Sequence, residues 1–248
     1  MRPAHLNPAM EPALFPLFAD LRQRLVLVVG GGEVAVRKVA ALQAAGARVR
    51  VGAPALHPHL LASFERAEIE FLPGRFQEHW LDDAWLVVAA TDDRAVYQAV
   101  ADAAEARRLF VNVVDDADLS SYQVPSVVRR GPLQIAISSA GAAPMLARHI
   151  REQLEIQFDE AYAALTELLA RRRQDIRRRL PVLAQRRRWF EQFLAGPALT
   201  FLRRQNQTAA ESAFDTALQL ADATSAQGRV ALVGAGPGDP GLLTIRAL

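Results

Sequence analysis

Residues able to do chemistry cluster at a few points of this chain. Asp115 follows the apolar run Leu109–Val114 (LFVNVV), which contains Asn112, and has Asp116 and Asp118 beside it. A carboxylate at the end of a buried strand would be partly desolvated, and like-charged neighbours would act in the same direction. Both raise a carboxylate pKa, which suits a proton acceptor. Aspartate is equally a favoured turn former, so a turn-capping role fits the same residues. The second point is Gly30-Gly31-Gly32, set between Leu25–Val29 and the helix-forming Glu33, Val34, Ala35, Val36, Arg37 and Lys38. Gly30 and Gly32 allow a tight turn and close approach of a pyrophosphate, and Ala35 is the third small position, where helix and strand pack closely. A helix start there offers unpaired N–H groups and partial positive charge to phosphates. The third is Ser138-Ser139-Ala-Gly141, a small polar loop leading into a helix through Pro144. It fits an anion site at a helix N-terminus, and it fits a plain N-cap.

The elements that must position these residues alternate. Strands are predicted at 25–29, 48–52, 68–72, 84–90 (fully buried) and 109–114. Helices lie between them at 33–45, at about 57–66, and from an Asp92 or Asp93 cap to about 108. Strand–helix alternation of this kind specifies an α/β fold with a doubly wound parallel sheet. Ligands of such sheets bind at the carboxyl ends of the strands. Those ends carry Gly30, Gly31, Gly32, Glu33 and Val34; Pro54 and Ala55; Thr91 and Asp92; and Asn112 to Asp115. The tip of the second strand, Gly52-Ala53-Pro54, lacks the acid that usually holds the ribose hydroxyls of NAD, and it has no arginine either. After Asp115 the pattern changes to two short strands, 126–130 and 133–138, around Gly131-Pro132. From Pro144 to about Asp222 the chain reads as helical, with turns near Pro181 and Gly196-Pro197. Residues 1–24 read as a loose entry segment with a helical turn near Leu17–Leu21, and 205–228 as a polar, alanine-rich linker with some helix. A further strand at 229–232 runs into a second glycine loop, Val233–Gly241.

Composition excludes several classes. The 248 residues, 51% hydrophobic and 23% charged, are globular material. The absence of cysteine removes disulfides, thiolate metal sites and cysteine nucleophiles. The five histidines form no metal-ligand spacing beyond His57-x-His59 and read as surface or structural groups. With no signal-peptide pattern and no apolar run of about 20 residues, a cytoplasmic location away from membranes is expected. Residues 1–120 hold 12 basic and 16 acidic side chains and the remainder 17 and 11, with Lys38 the only lysine. The arginine clusters at 171–173, 177–179, 186–188 and 203–204 lack a single stripe and accompanying aromatics, so they read as solvated helix faces and not as a nucleic-acid site.

Taken in order, several segments resemble the N-terminal part of the multifunctional siroheme synthases. They are Val29–Lys38, Ala89–Asp93, Asn112–Asp115, Pro125–Val128, Ser138–Pro144 and Arg186–Trp189. The resemblance implies a Rossmann-like domain at 1–117, a β-rich segment at 118–150, and a helical dimerisation domain at 151–225. It implies oxidation of precorrin-2 to sirohydrochlorin with NAD, then insertion of Fe²⁺, a substrate, to give siroheme. Asp115 would serve both steps and meet the metal transiently. Gly30, Gly31, Gly32, Glu33, Val34, Pro54, Ala55, Thr91 and Asp92 fall to the cofactor, and Asn112, Ser138 and Ser139 to the tetrapyrrole. Ser139 aligns with a serine that is phosphorylated in a relative. A homodimer is implied. Residues 226–248 resemble a linker and the opening of the family's methyltransferase domain, so an incomplete S-adenosylmethionine site and no methyltransferase activity are expected. Two other readings stay open from sequence: dehydrogenase only, or a non-catalytic NAD-sensing dimeric module.

Overall fold

The computed structural model describes residues 14–221. The predicted strand at 229–232 and the second glycine loop lie outside the described residues. Strand β1 (Leu25–Val29) is buried at all five positions. Each such side chain gains ~1.5–3 kcal/mol on leaving water, so a strand apolar on both faces belongs at the centre of a covered sheet. It pairs in parallel with β2 (Arg48–Ala53) and with β4 (Leu86–Ala89). Beyond these lie β3 (Glu70–Pro73) and β5 (Phe110–Val113), giving the order β3-β2-β1-β4-β5. The chain order reverses between β1 and β4, which is where a doubly wound sheet opens its ligand crevice.

Helices α1 (Glu33–Ala44) and α2 (Pro58–Glu65) bring Ala35, Val39 and Leu60 onto Val28, Val49 and Val51. Helix α3 (Arg94–Ala106) brings Val100 and Ala104 onto Leu27, Val87 and Val111. Trp80 and Leu81 join that second core from a 3-10 turn, Glu78–Leu81, which sequence reasoning missed. Among the expected caps, Asp93 rather than Asp92 starts α3, its carboxylate accepting from Ala95 N–H at 2.9 Å. Histidine 57 caps α2, with Nδ1 accepting from His59 N–H at 3.3 Å.

Three expectations need correction. Residues 14–20 form no regular structure, and Phe15, Leu17 and Phe18 are exposed, so there is no helical turn at 17–21. The fourth strand is shorter than 84–90 and not fully buried: Trp85 is exposed and carries the Arg24 guanidinium over its ring at 3.7 Å. The stretch read as a linker with some helix is instead part of the helical core: it forms α9 (Gln207–Gln219), whose Ala210 and Phe214 are fully buried.

The chain divides into two compact units, residues up to 126 with 136–151, and 127–135 with residues from 152 onward. A hairpin, β6 (Ser126–Arg130) and β7 (Leu133–Ile137), links them in sequence, followed by α4 (Pro144–Gln157). The second unit contains α5 (Ala161–Arg171), α6 (Arg173–Arg179), α7 (Leu183–Ala195), α8 (Ala198–Arg203) and α9. Its core gathers Leu165, Leu168, Ile176, Trp189, Phe193 and Phe214. Trp189 stacks on Phe193 at 5.0 Å, and Phe214 meets Trp189 edge-on at 5.5 Å. The arginine clusters are not uniformly solvated faces. Arg172, half-buried, pairs with Asp215 and with Asp175 (2.7 Å) and lies 4.5 Å above the Phe214 ring. Arg130 closes the end of α4 by donating to the carbonyls of Phe158 (2.6 Å) and Glu155 (2.9 Å).

Candidate active site

The glycine turn leaves β1 at Gly30, whose φ of +125° is open to glycine and strained for other residues. A Cβ at Gly30 would lie 2.0 Å from the Ala90 carbonyl oxygen, and one at Gly31 would lie 2.0 Å from that of Ala55. These two glycines let the ends of β1, β2 and β4 close together. Gly32 differs: an added Cβ would meet nothing within 4 Å. Gly32 is also the N-cap of α1, and no side chain caps that helix. The first-turn N–H groups are thus left without a side-chain partner, with the helix dipole behind them, which suits a dinucleotide pyrophosphate. Glu33, Pro54, Ala55 and Asp92 are exposed around this turn, with Val34 and Thr91 half-buried. Arg48 and Arg50 are committed to Glu70 on β3, each at 2.8 Å. Burial pushes the Glu70 carboxyl up, but hydrogen bonds from Arg48 and Arg50, with their charges, outweigh it and hold Glu70 below the usual carboxylate range.

The other expected residues gather around a cavity of about 450 Å³ at the end of β5. Asn112, Asp115, Asp116, Ser138 and Ser139 line it, with Lys38 of α1. None of Gly30–Val34, Pro54, Ala55, Thr91 or Asp92 lines it. Lys38 was missed from sequence as a site residue. Its Nζ lies 3.5 Å from Asn112 Oδ1, while Asn112 Nδ2 donates to the Tyr122 carbonyl at 3.2 Å. Burial pushes the Lys38 ammonium below the ordinary lysine value, with Arg37 acting the same way and Asp115 opposing it. Burial, then Asp115 and Asp92, raise the Tyr97 phenol, against a hydrogen bond from the Thr91 backbone. Burial alone raises that of Tyr122.

Asp115 and Asp116 separate by role. Asp116 is a turn residue, its Oδ1 accepting from Leu119 N–H at 3.1 Å. The Asp115 carboxylate accepts no hydrogen bond among the described residues, and it lines the cavity. Asp115 is exposed, which corrects the expected partial desolvation. Its backbone enters the left-handed region at φ +61° and turns the side chain out of the sheet. The serine loop has the hydrogen bonds of a cap: Ser139 Oγ accepts from Ala143 N–H at 3.1 Å and Ser138 Oγ from Ala140 N–H at 3.0 Å. Both still face the cavity. Among the described residues no three histidine or acidic side chains are grouped to hold a metal ion. No helix among them is long and apolar enough to cross a membrane.

Three family profiles match in succession. They are described as putative NAD(P)-binding (residues 17–126), sirohaem biosynthesis protein central (130–157) and sirohaem synthase dimerisation region (161–218). The chain is a relative of the siroheme synthases. It is 54% identical over 237 residues to the siroheme synthase of Xylella fastidiosa, and 46% identical over 234 residues to that of Chromobacterium violaceum. The matches cover 95% and 94% of this chain and 50% of each of those proteins. The chain thus spans about half the length of the siroheme synthases it matches. A solved structure titled SirC, precorrin-2 dehydrogenase, superposes with a TM-score of 0.61 at 26% identity, over 85% of this chain and 100% of that one.

Proposed function

We propose that this chain oxidises precorrin-2 to sirohydrochlorin with NAD⁺ and then admits Fe²⁺ to the product, giving siroheme. The observation that carries the reading is the pairing of an uncapped glycine turn with a separate cavity that holds a free carboxylate, Asp115, at the end of β5. The similarity to siroheme synthases and to a precorrin-2 dehydrogenase supports the choice of substrate.

Bound NAD⁺ supplies a hydride acceptor. The α1 N-terminus and Gly32 hold its pyrophosphate, and Pro54, Ala55, Thr91 and Asp92 flank the rest. Precorrin-2 gives up a hydride and a proton, and Asp115 takes the proton. Asp115 passes that proton to solvent, and on metal insertion two pyrrole N–H protons leave: Asp115 accepts one while meeting the incoming Fe²⁺, and the other goes to water. Asn112, Ser138 and Ser139 contact the macrocycle. Residues 1–117 form the dinucleotide domain, 118–150 the substrate-side segment and 151–225 the domain through which two copies associate.

Asp115→Asn tests the reading. Asparagine tolerates the left-handed backbone at this position, so the fold is retained while the proton acceptor is lost. NAD⁺ affinity should be unchanged. NADH production from precorrin-2 and Fe²⁺ insertion, both followed by absorbance, should fall by about 10²-fold or more. Full activity in the variant overturns the mechanism. If the wild-type chain forms NADH without inserting iron, the function narrows to the oxidation; NAD⁺ binding with no NADH makes it a sensing module.

A further inference from the structure

We infer that Lys38 is a specificity-determining residue of the cavity, whose ammonium binds a carboxylate of the tetrapyrrole and sets the ring against Asp115. The inference rests on the dehydrogenase reading of the same cavity. Lys38 is the only lysine in the chain, and it sits on the helix that starts at the glycine turn. That helix thus serves both sides of the reaction, its first turn facing the pyrophosphate and Lys38 reaching the cavity.

The geometry fixes the ammonium in place. Asn112 is the one buried polar side chain among the described residues. Its amide N–H is committed to the Tyr122 carbonyl, which leaves Oδ1 directed at Lys38 Nζ. An amide oxygen can orient an ammonium without neutralising it. Lys38 makes no ion pair among the described residues, unlike Arg48, Arg50 and Arg172. Among the described residues it is the one cation lining a cavity whose other charges are Asp115 and Asp116.

A partly buried cation that makes no direct ion pair, with Asp115 acting on it only through space, is costly until a carboxylate reaches it. Purely structural packing at this position would be served by an apolar side chain. Precorrin-2 carries eight carboxylates, and one of them on Lys38 supplies the direct ion-pair partner that Asp115 does not. Arginine at this position would keep the charge, whereas methionine and glutamine would keep much of the shape without it.

The test uses the full chain and uroporphyrin III, a stable octacarboxylate tetrapyrrole that it cannot oxidise to sirohydrochlorin. Lys38→Met and Lys38→Gln should weaken uroporphyrin binding by about 10- to 100-fold, the usual range for losing a charge-assisted contact, and flatten its salt dependence. Lys38→Arg should recover most of the loss. NAD⁺ affinity should stay unchanged in all three. With precorrin-2 the KM should rise by the same factor while kcat changes little. Equal probe affinity and KM in wild type and Lys38→Met overturn the inference and leave the dehydrogenase reading standing. A fall in kcat at constant KM also overturns it, since Lys38 would then act on Asp115. Loss of NAD⁺ binding in both neutral variants makes the lysine structural and overturns it as well. A wild-type chain that binds neither uroporphyrin nor precorrin-2 removes both readings together.

Discussion

Gly30 and Gly32 stand two residues apart and do different work. At Gly30 a methyl group would collide with the Ala90 carbonyl at 2.0 Å on a backbone at φ +125°, so Gly30→Ala should disrupt the β1–β4 junction. At Gly32 the same methyl meets nothing within 4 Å, and φ is −86°. Gly32→Ala should therefore cost the fold less than about 1 kcal/mol. It should still weaken NAD⁺ by about tenfold or more, because the methyl occupies the space assigned to the pyrophosphate. Thermal melts and NAD⁺ titrations of both variants separate the effects, and unchanged NAD⁺ affinity in Gly32→Ala would remove the pyrophosphate from this turn. The glycine turn was legible in sequence because its constraints are local: a positive φ and a strand-to-helix junction within a few residues. Asp115 was legible as a strand-end acid, but its exposure was not, since that depends on the turn geometry after β5. Lys38 was not legible at all. Its partner, Asn112, lies 74 residues away, and nothing along α1 marks Lys38 apart from Arg37.

The elements show the same division between local and distant causes. Strand and helix order followed from hydrophobic period, since β1 is a run of leucine and valine and α1 starts immediately after three glycines. The 3-10 turn at Glu78–Leu81 spans only four residues and has no period to detect, yet it seals one face of the sheet. Helix α9 falls in a stretch that reads as helical, but its place in the core was obscured because its buried stripe is mostly alanine, with Ala210, Ala213 and Ala217 flanking Phe214. At the sheet edge, no strand among the described residues pairs beyond β5, and its outward N–H groups are taken by serine hydroxyls. Ser121 Oγ accepts from Val111 N–H at 2.8 Å and Ser120 Oγ from Val113 N–H at 2.9 Å, which blunts an edge that could otherwise pair with another chain. The 3-10 turn carries the prediction at this scale. A Cβ on Gly52 of β2 would lie 2.1 Å from the Trp80 ring, so Gly52→Ala forces the indole out of a filled core. Overpacking of this kind costs ~1–3 kcal/mol. Urea unfolding should show that loss, and Trp80→Leu in the same chain should absorb part of it, giving a non-additive cycle. Full additivity of the two substitutions would mean that the indole is not what confines β2.

For the whole molecule, each compact unit contains a core of its own. Leu27, Val28 and Val87 belong to the sheet cores, whereas Trp189, Phe193 and Phe214 belong to the helical one. The match to a sirohaem synthase dimerisation region falls on 161–218, within the helical unit. That unit exposes Leu183 and Leu194 of α7, large apolar side chains whose burial against a second copy would be favourable. The chain should therefore run in light scattering as a particle of twice its 27.1 kDa mass. Phe214→Ala tests whether the helical core sustains that association. Phe214 is fully buried between Trp189, Phe193 and the Arg172 guanidinium, so its truncation should cost ~3–5 kcal/mol within the helical unit. The variant should lose near-ultraviolet circular dichroism from Trp189 and shift toward the 27.1 kDa monomer. NAD⁺ affinity, which depends on the glycine turn and the sheet cores, should change little. A Phe214→Ala chain that stays fully dimeric with its helical core loosened would place the dimer contact outside the helical unit.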